Sequence, residues 1–342
     1  MRNKLYPLKF TPIYKCKIWG GENIKNISNH SNSLLNVGES WDVSAFEESQ
    51  SVVDNGPLRG SSLRDIIDLF GEKLLGKDIV EEYGNEFPLL VKIIDATDKL
   101  SIQVHPNDDI ALKLHNMRGK NEMWYVLSAN DNAYIIAGWN SPLSKDDYIS
   151  KLNDNDIESI VRKHPVKAGD VFFIPAGTVH AIGNGCLILE IQQSSDITYR
   201  IFDYNRLGAD GNPRELHTDL ALMAFDFENW KIDKVKYSCN EINSIANLVN
   251  DKHFCVNIVE VNDVYVLQDT YGGFSILSCV EGNLVVKSND NDDVPLNWGE
   301  TVLIPAELTT CHILGKGKFL QVALYFTLLL LIKKAGHFIS AL

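Results

Sequence analysis

A short segment occurs twice in this chain, and that duplication constrains the fold more than any other feature. Gly169-Asp170-Val171-Phe172-Phe173-Ile174-Pro175-Ala176 matches Gly299-Glu300-Thr301-Val302-Leu303-Ile304-Pro305-Ala306 in residue type at nearly every position. Each copy is a β-branched or aromatic run entered from a glycine and left through Pro-Ala, the pattern of a strand bounded by turns. A unit that recurs in sequence recurs in space, so the chain is expected to use one β-barrel motif twice. A fainter upstream match pairs Met123-Trp124-Tyr125-Val126-Leu127 with Phe274-Ser275-Ile276-Leu277-Ser278.

Further strands are expected at Leu89 to Ile94 and Leu187 to Ile191, where apolar runs are broken by Gly, Asn and Asp. Leu63, Ile66, Ile67, Phe70 and Leu74 share one helical face behind Ser61 or Ser62 as a cap. Weaker helices are expected at Asp108 to Met117, Lys145 to Val161 and Leu216 to Phe225. The first copy carries an insertion, Ser144 to His164, where the second has only Ser288 to Asp293, and rim insertions can shape a pocket. The expected fold is mainly β with helical insertions, built from two β-barrel modules. The expected division is residues 1–235, a metal-binding domain; 236–326, a degenerate β-domain; and 327–342, an apolar tail.

Gln103 and His105 lie two apart in a strand-like run that ends at Pro106, so alternation puts both on one face. Glu122 opens the next strand candidate and His180 follows the Ile174-Pro175-Ala176-Gly177 turn, so a barrel can bring all four together. Such a nitrogen and oxygen set suits a borderline divalent ion, zinc ahead of manganese or iron. The repeat puts Gly273 opposite Glu122 and Thr310 opposite His180, so the frame is shared while the ligands are extra. Cys311 and His312 lie beside that position without a second His or a Glu.

The 32 basic and 45 acidic residues give a net charge of −13, a field that repels nucleic acid and leaves an anionic substrate dependent on a local cationic pocket. Six scattered cysteines without a CxxC pair argue for reduced thiols rather than a disulfide framework. The N-terminus lacks a signal-peptide pattern and the run Phe319 to Ile332 is too short to span a bilayer. A cytoplasmic protein without membrane contact is expected, and, with no heptad run or interface stripe, a monomer.

The ordered motifs Trp19-Gly20-Gly21, Gly38-Glu39-Ser40-Trp41, Ser101-Ile102-Gln103-Val104-His105-Pro106, Gly119-Lys120-Asn121-Glu122-Met123-Trp124-Tyr125, Pro175-Ala176-Gly177-Thr178-Val179-His180-Ala181 and Ser195-Asp196-Ile197-Thr198-Tyr199-Arg200 together resemble the type I mannose-6-phosphate isomerases in their shorter bacterial form. The resemblance spans roughly residues 5 to 326. It implies two cupin-like β-barrel (jelly-roll) modules, the second lacking the metal ligands, with one Zn2+ on Gln103, His105, Glu122 and His180, an active-site Arg200, and Glu190, Asp196 and Lys120 as candidates for proton transfer or substrate contact. The implied substrate is a phosphorylated hexose, mannose 6-phosphate, converted to fructose 6-phosphate through an enediol.

That chemistry needs a base of near-neutral pKa, for which Glu190 is a candidate, and fixed charge for the enediolate, which Arg200 supplies. Lys92, Lys99, Lys120 and Arg200 are available to hold a phosphate. Two other readings share the fold: a metal-dependent redox cupin using a His and carboxylate triad, and a sugar-binding cupin without a working base. The tail after Phe326 departs from the family pattern.

Overall fold

The computed structural model describes residues 4–27, 34–239, 241–268, 272–288 and 293–324. The tail 327–342 and the end of the expected last strand lie outside them. Contacts divide the chain into two units, one from the described residues of Met1–Thr11, Val43–Pro88 and Tyr237–Leu342, the other from Pro12–Asp42 and Leu89–Lys236. The expected division was continuous, with residues 1–235 as one domain. Segments 1–11 and 43–88 instead join the C-terminal unit, because Leu8 pairs with Leu303 and the Ala306 and Glu307 amides donate to the Leu74 and Lys73 carbonyls.

The unit holding residues 89–236 is built on two antiparallel sheets. One runs in the order Val171–Ile174, Glu122–Ala129, Cys186–Gln193, Leu89–Ala96, Val37–Val43, Ile13–Gly21. The other runs Val161–Pro165, Tyr134–Trp139, His180–Ile182, Ile102–Val104, Tyr199–Phe202. Ile94, Trp124, Phe172 and Ile188 of the first share a core with Ile135, Ala137 and Ile182 of the second, the layering of a jelly roll. The central strands Leu89–Ala96 and Cys186–Gln193 are buried throughout, which is why they read as continuous apolar runs.

The other unit repeats this neighbour order. Thr301–Ile304 pairs with Ser275–Lys287, then Thr310–Ala323, Cys255–Gln268 and Ile245–Asn250 follow. The Gly169 amide donates to the Val126 carbonyl in the first copy and the Gly299 amide to the Cys279 carbonyl in the second, and Ile174 faces Glu122 as Ile304 faces Ser275. Ser275 therefore stands where Glu122 does, two residues beyond the expected Gly273. The upstream match had slid by two because its apolar positions alternate and fit equally well at either register. Thr310 begins its strand as His180 does.

The helices are shorter than their periodicity suggested. Ser62 caps Leu63–Phe70 in a reciprocal capping box with Asp65, and Gly71 ends that helix before Leu74. Asn107 caps Asp108–His115, Thr218–Ala224 is the last, and Lys145–Asn153 stops ahead of a single 3-10 turn at Ile157–Ser159. The expected extension to Val161 fails because Asn155 takes a positive φ and Val161 begins a strand. Tyr148 of this insertion is buried against Trp139 and Phe225.

Candidate active site

Arg200, Gln103 and His180 are direct neighbours across three strands, Arg200 opposite Gln103 and Gln103 opposite His180. Side chains that face each other across a ladder share a sheet face, so this row projects together. His105 follows Val104 and arrives at the same point. Gly177, at φ +88°, donates its amide to the His105 carbonyl and turns the chain so that His180 enters the sheet. Asn121 accepts from the Ala176 amide at 2.9 Å, tying that turn to the start of the Glu122 strand.

The result is a buried cluster. His105 Nε2 lies 3.1 Å from His180 Nε2, and each lies 3.3 Å from a Glu122 oxygen. His105 Nδ1 is 2.8 Å from the Ile197 carbonyl and His180 Nδ1 is 2.9 Å from the Thr178 carbonyl. A carbonyl only accepts, so both Nδ1 atoms carry the proton and both Nε2 atoms present lone pairs to each other. Both Glu122 oxygens are buried without an aligned hydrogen bond. Gln103 completes the group, its amide 3.3 Å from His180 Nε2. Converging lone pairs and an ionised carboxylate are what a cation requires, and the donor set fits a divalent metal.

Electrostatics agree with that assignment. Burial, and then the Lys120 ammonium, push His105 down to about 3, and burial lowers His180. Glu122 pays for burial yet is held well below the carboxylate range by Lys120 and the two imidazoles. Lys120 Nζ stands 2.9 Å from Glu122 Oε2 and 3.0 Å from His105 Nε2.

Beside the cluster, Lys92, Glu190 and Trp124 form a second cross-strand row. Glu190 accepts from Trp124 Nε1 at 3.0 Å, and Lys92 Nζ is 3.0 Å from its other oxygen. Burial and the nearby Glu122 charge raise the Glu190 pKa despite Lys92 and Lys120. Both rows open on a cavity of about 350 Å3, whose lining includes Gln103, Lys120, Glu190, Asp196, Arg200 and Arg214.

The family model for phosphomannose isomerase type I, catalytic domain, matches residues 7–132, and that for the mannose-6-phosphate isomerase cupin domain matches 244–324. The Bacillus subtilis (strain 168) protein YvyI is 35% identical over 313 residues, covering 90% of this chain and 96% of its own. The chain belongs to the type I mannose-6-phosphate isomerase family. Mannose-6-phosphate isomerase ManA of Bacillus subtilis (strain 168) is 40% identical over 216 residues, 62% of this chain and 65% of its own. The crystal structure of the mannose 6-phosphate isomerase from Bacillus subtilis superposes with a TM-score of 0.84 at 32% identity, covering 94% of this chain and all of that one.

Within this type I isomerase, the four candidate ligands and Lys120 meet at one point, while Glu190, Arg200 and Asp196 line the adjoining cavity, Asp196 exposed. Among the described residues the His105, Glu122 and His180 group is the one such cluster found. Lys99 is elsewhere, over the Tyr204 ring and near Glu158. The Ser144 to His164 insertion contributes no residue to the cavity lining; it packs on aromatic core instead. Lining residues that had been given no role include Lys17, Glu39, Trp124 and Arg214. Lys92 had been read as a rim donor, although a lysine inside Leu89-Leu90-Val91-Lys92-Ile93-Ile94 is the signature of a buried charge awaiting a partner. Arg214 carries no local signal, since a folded loop brings it to the cavity.

Proposed function

We propose that this chain interconverts D-mannose 6-phosphate and D-fructose 6-phosphate using one Zn2+ held by Gln103, His105, Glu122 and His180. The observation that carries the metal assignment is the pair of Nε2 lone pairs facing each other 3.1 Å apart beside Glu122. When bound there, a divalent ion supplies electrophilic polarisation of substrate oxygens.

The remaining work falls to the protein. Glu190 is buried at 2% exposure, faces the cavity and has a raised pKa, so it takes the C2 proton and returns it at C1. Trp124 and Lys92 hold its two oxygens and fix its direction. Arg200 gives positive charge for the enediolate; burial lowers its pKa, yet a guanidinium retains its proton. Lys120 donates toward the substrate from beside Glu122, and exposed Asp196 contacts a sugar hydroxyl at the mouth. Six free thiols fit a reducing cytoplasm, and no helix among the described residues is long and apolar enough to cross a membrane.

The test is formation of fructose 6-phosphate by purified protein before and after chelation, with zinc add-back and His180→Ala in parallel. Turnover lost on chelation, restored by zinc and absent in His180→Ala is expected. Folded, zinc-loaded protein without turnover overturns the proposal.

A further inference from the structure

Most cations at the cavity are already matched to a carboxylate: Lys92 to Glu190, Lys120 to Glu122 and Lys17 to Glu39. Arg200 is different, held by the Ser101 hydroxyl at 3.3 Å and the Glu215 carbonyl at 2.9 Å. Arg214 is matched to a carboxylate along one edge only. Its Nε donates to Asp203 Oδ2 at 2.6 Å and its Nη2 to Asp203 Oδ1, while Nη1 makes no hydrogen bond among the described residues. Asp203, itself buried, also accepts from Arg206 Nη2 at 2.8 Å, and Asp98 pairs with Arg206 Nη1 at 3.1 Å, so Asp203 is shared between two guanidiniums and the Nη1 edge of Arg214 is left without a carboxylate.

The backbone is shaped to deliver this fork. Tyr204 and Asn205 both take positive φ, +57° and +54°, in a turn closed by the Arg206 amide on the Asp203 carbonyl. Two consecutive left-handed non-glycine residues are costly and persist where the surroundings enforce them. Arg206 enforces this turn by donating to the Lys99 carbonyl at 2.6 Å. The chain then doubles back through the Leu207 to Pro213 bridge, which returns Arg214 to Asp203 and to the cavity.

We infer that Arg214, oriented by Asp203, binds the substrate phosphate together with Arg200 and sets the preference for phosphorylated over free aldoses. Asp203 is a positioning residue: it occupies one edge of the guanidinium and leaves the other to a dianion, the planar two-point geometry that suits phosphate. The inference rests on the isomerase reading of the same cavity.

The probes are mannose 6-phosphate and inorganic phosphate, used with zinc-loaded enzyme. Arg214→Gln is expected to raise KM for the sugar phosphate and the inhibition constant of inorganic phosphate together, by about tenfold or more, with kcat changed far less. Arg214→Lys recovers part of the loss, and Asp203→Asn, which leaves the arginine present but unfixed, shows a smaller rise of the same kind. Equal inhibition of wild type and both Arg214 variants by phosphate overturns the inference, as does a fall in kcat at unchanged KM. Phosphate binding is also read without turnover, as protection against thermal unfolding. Protection that depends on residue 214 in a protein that fails to isomerise mannose 6-phosphate would refute only the isomerase reading; turnover with protection indifferent to residue 214 would refute only this one.

Discussion

Lys92 and Glu190 stand directly opposite each other on adjacent strands, and their side chains, 10% and 3% exposed, meet at 3.0 Å. Glu39 and Glu122 add to the field that holds Lys92 charged despite its burial. Removing one member of such a pair strands the other, whereas removing both does not.

Lys92→Met is therefore expected to destabilise the protein by about 3 kcal/mol and to abolish turnover. Lys92→Met combined with Glu190→Leu should recover much of that stability and none of the activity. Chemical denaturation alongside the isomerase assay checks both. A double variant as unstable as the single one would contradict the pairing.

Glu122→Gln keeps the shape of the metal cluster and removes its negative charge. Because a neutral amide is a weaker ligand than a carboxylate, zinc content after dialysis is expected to fall below one equivalent, with activity falling in proportion. Metal analysis and turnover on the same sample test this. Full zinc occupancy in the variant would show that the Glu122 charge is not needed to hold the metal.

The Tyr148 hydroxyl is buried without a hydrogen-bond partner among the described residues, and burial raises its pKa. Tyr148→Phe removes an unsatisfied group while keeping the ring against Trp139 and Phe225, so stability should rise by about 1 kcal/mol. KM should not change, because the insertion lines no part of the cavity. A loss of stability would reveal a partner for the hydroxyl.

His164 lies outside the metal cluster, buried against Phe172, with Nε2 3.1 Å from the Ala137 carbonyl. Burial, aided by Arg162 and Lys234, lowers its pKa against the smaller opposing effects of the Ala137 hydrogen bond and of Asp233. A histidine depressed in the fold contributes stability above its unfolded pKa of about 6.5, and that contribution is lost as pH falls toward the folded value. His164→Gln should therefore lose less thermal stability than wild type between pH 7 and pH 5. Parallel slopes in the two proteins would refute the assignment.

Much of the site was legible before any coordinate. Gln103 and His105 share strand parity, Glu122 opens a strand, and His180 follows an Ile-Pro-Ala turn whose duplicate lacks it. Parity alone could not fix the second copy's register, and Ser275 rather than Gly273 emerged only from its pairing with Ile304. The same ladder shows what the second copy gave up: Gln321 and Asn257 occupy the places of Glu190 and Lys92, neutral hydrogen-bonding groups where the first unit buries an ion pair.

The sequence by itself determined the strand faces, the candidate ligand set and the use of one motif twice, because these follow from a side-chain period of two and from the chemistry of His, Glu and Gln. Only the tertiary structure decided which charges pair. Lys92 meets Glu190 from the far side of a long connection, and Arg214 reaches the cavity through a strained turn and a doubled-back loop. Local pattern carries no record of such meetings, since burial makes a charge demand a partner but not a partner at any particular distance along the chain.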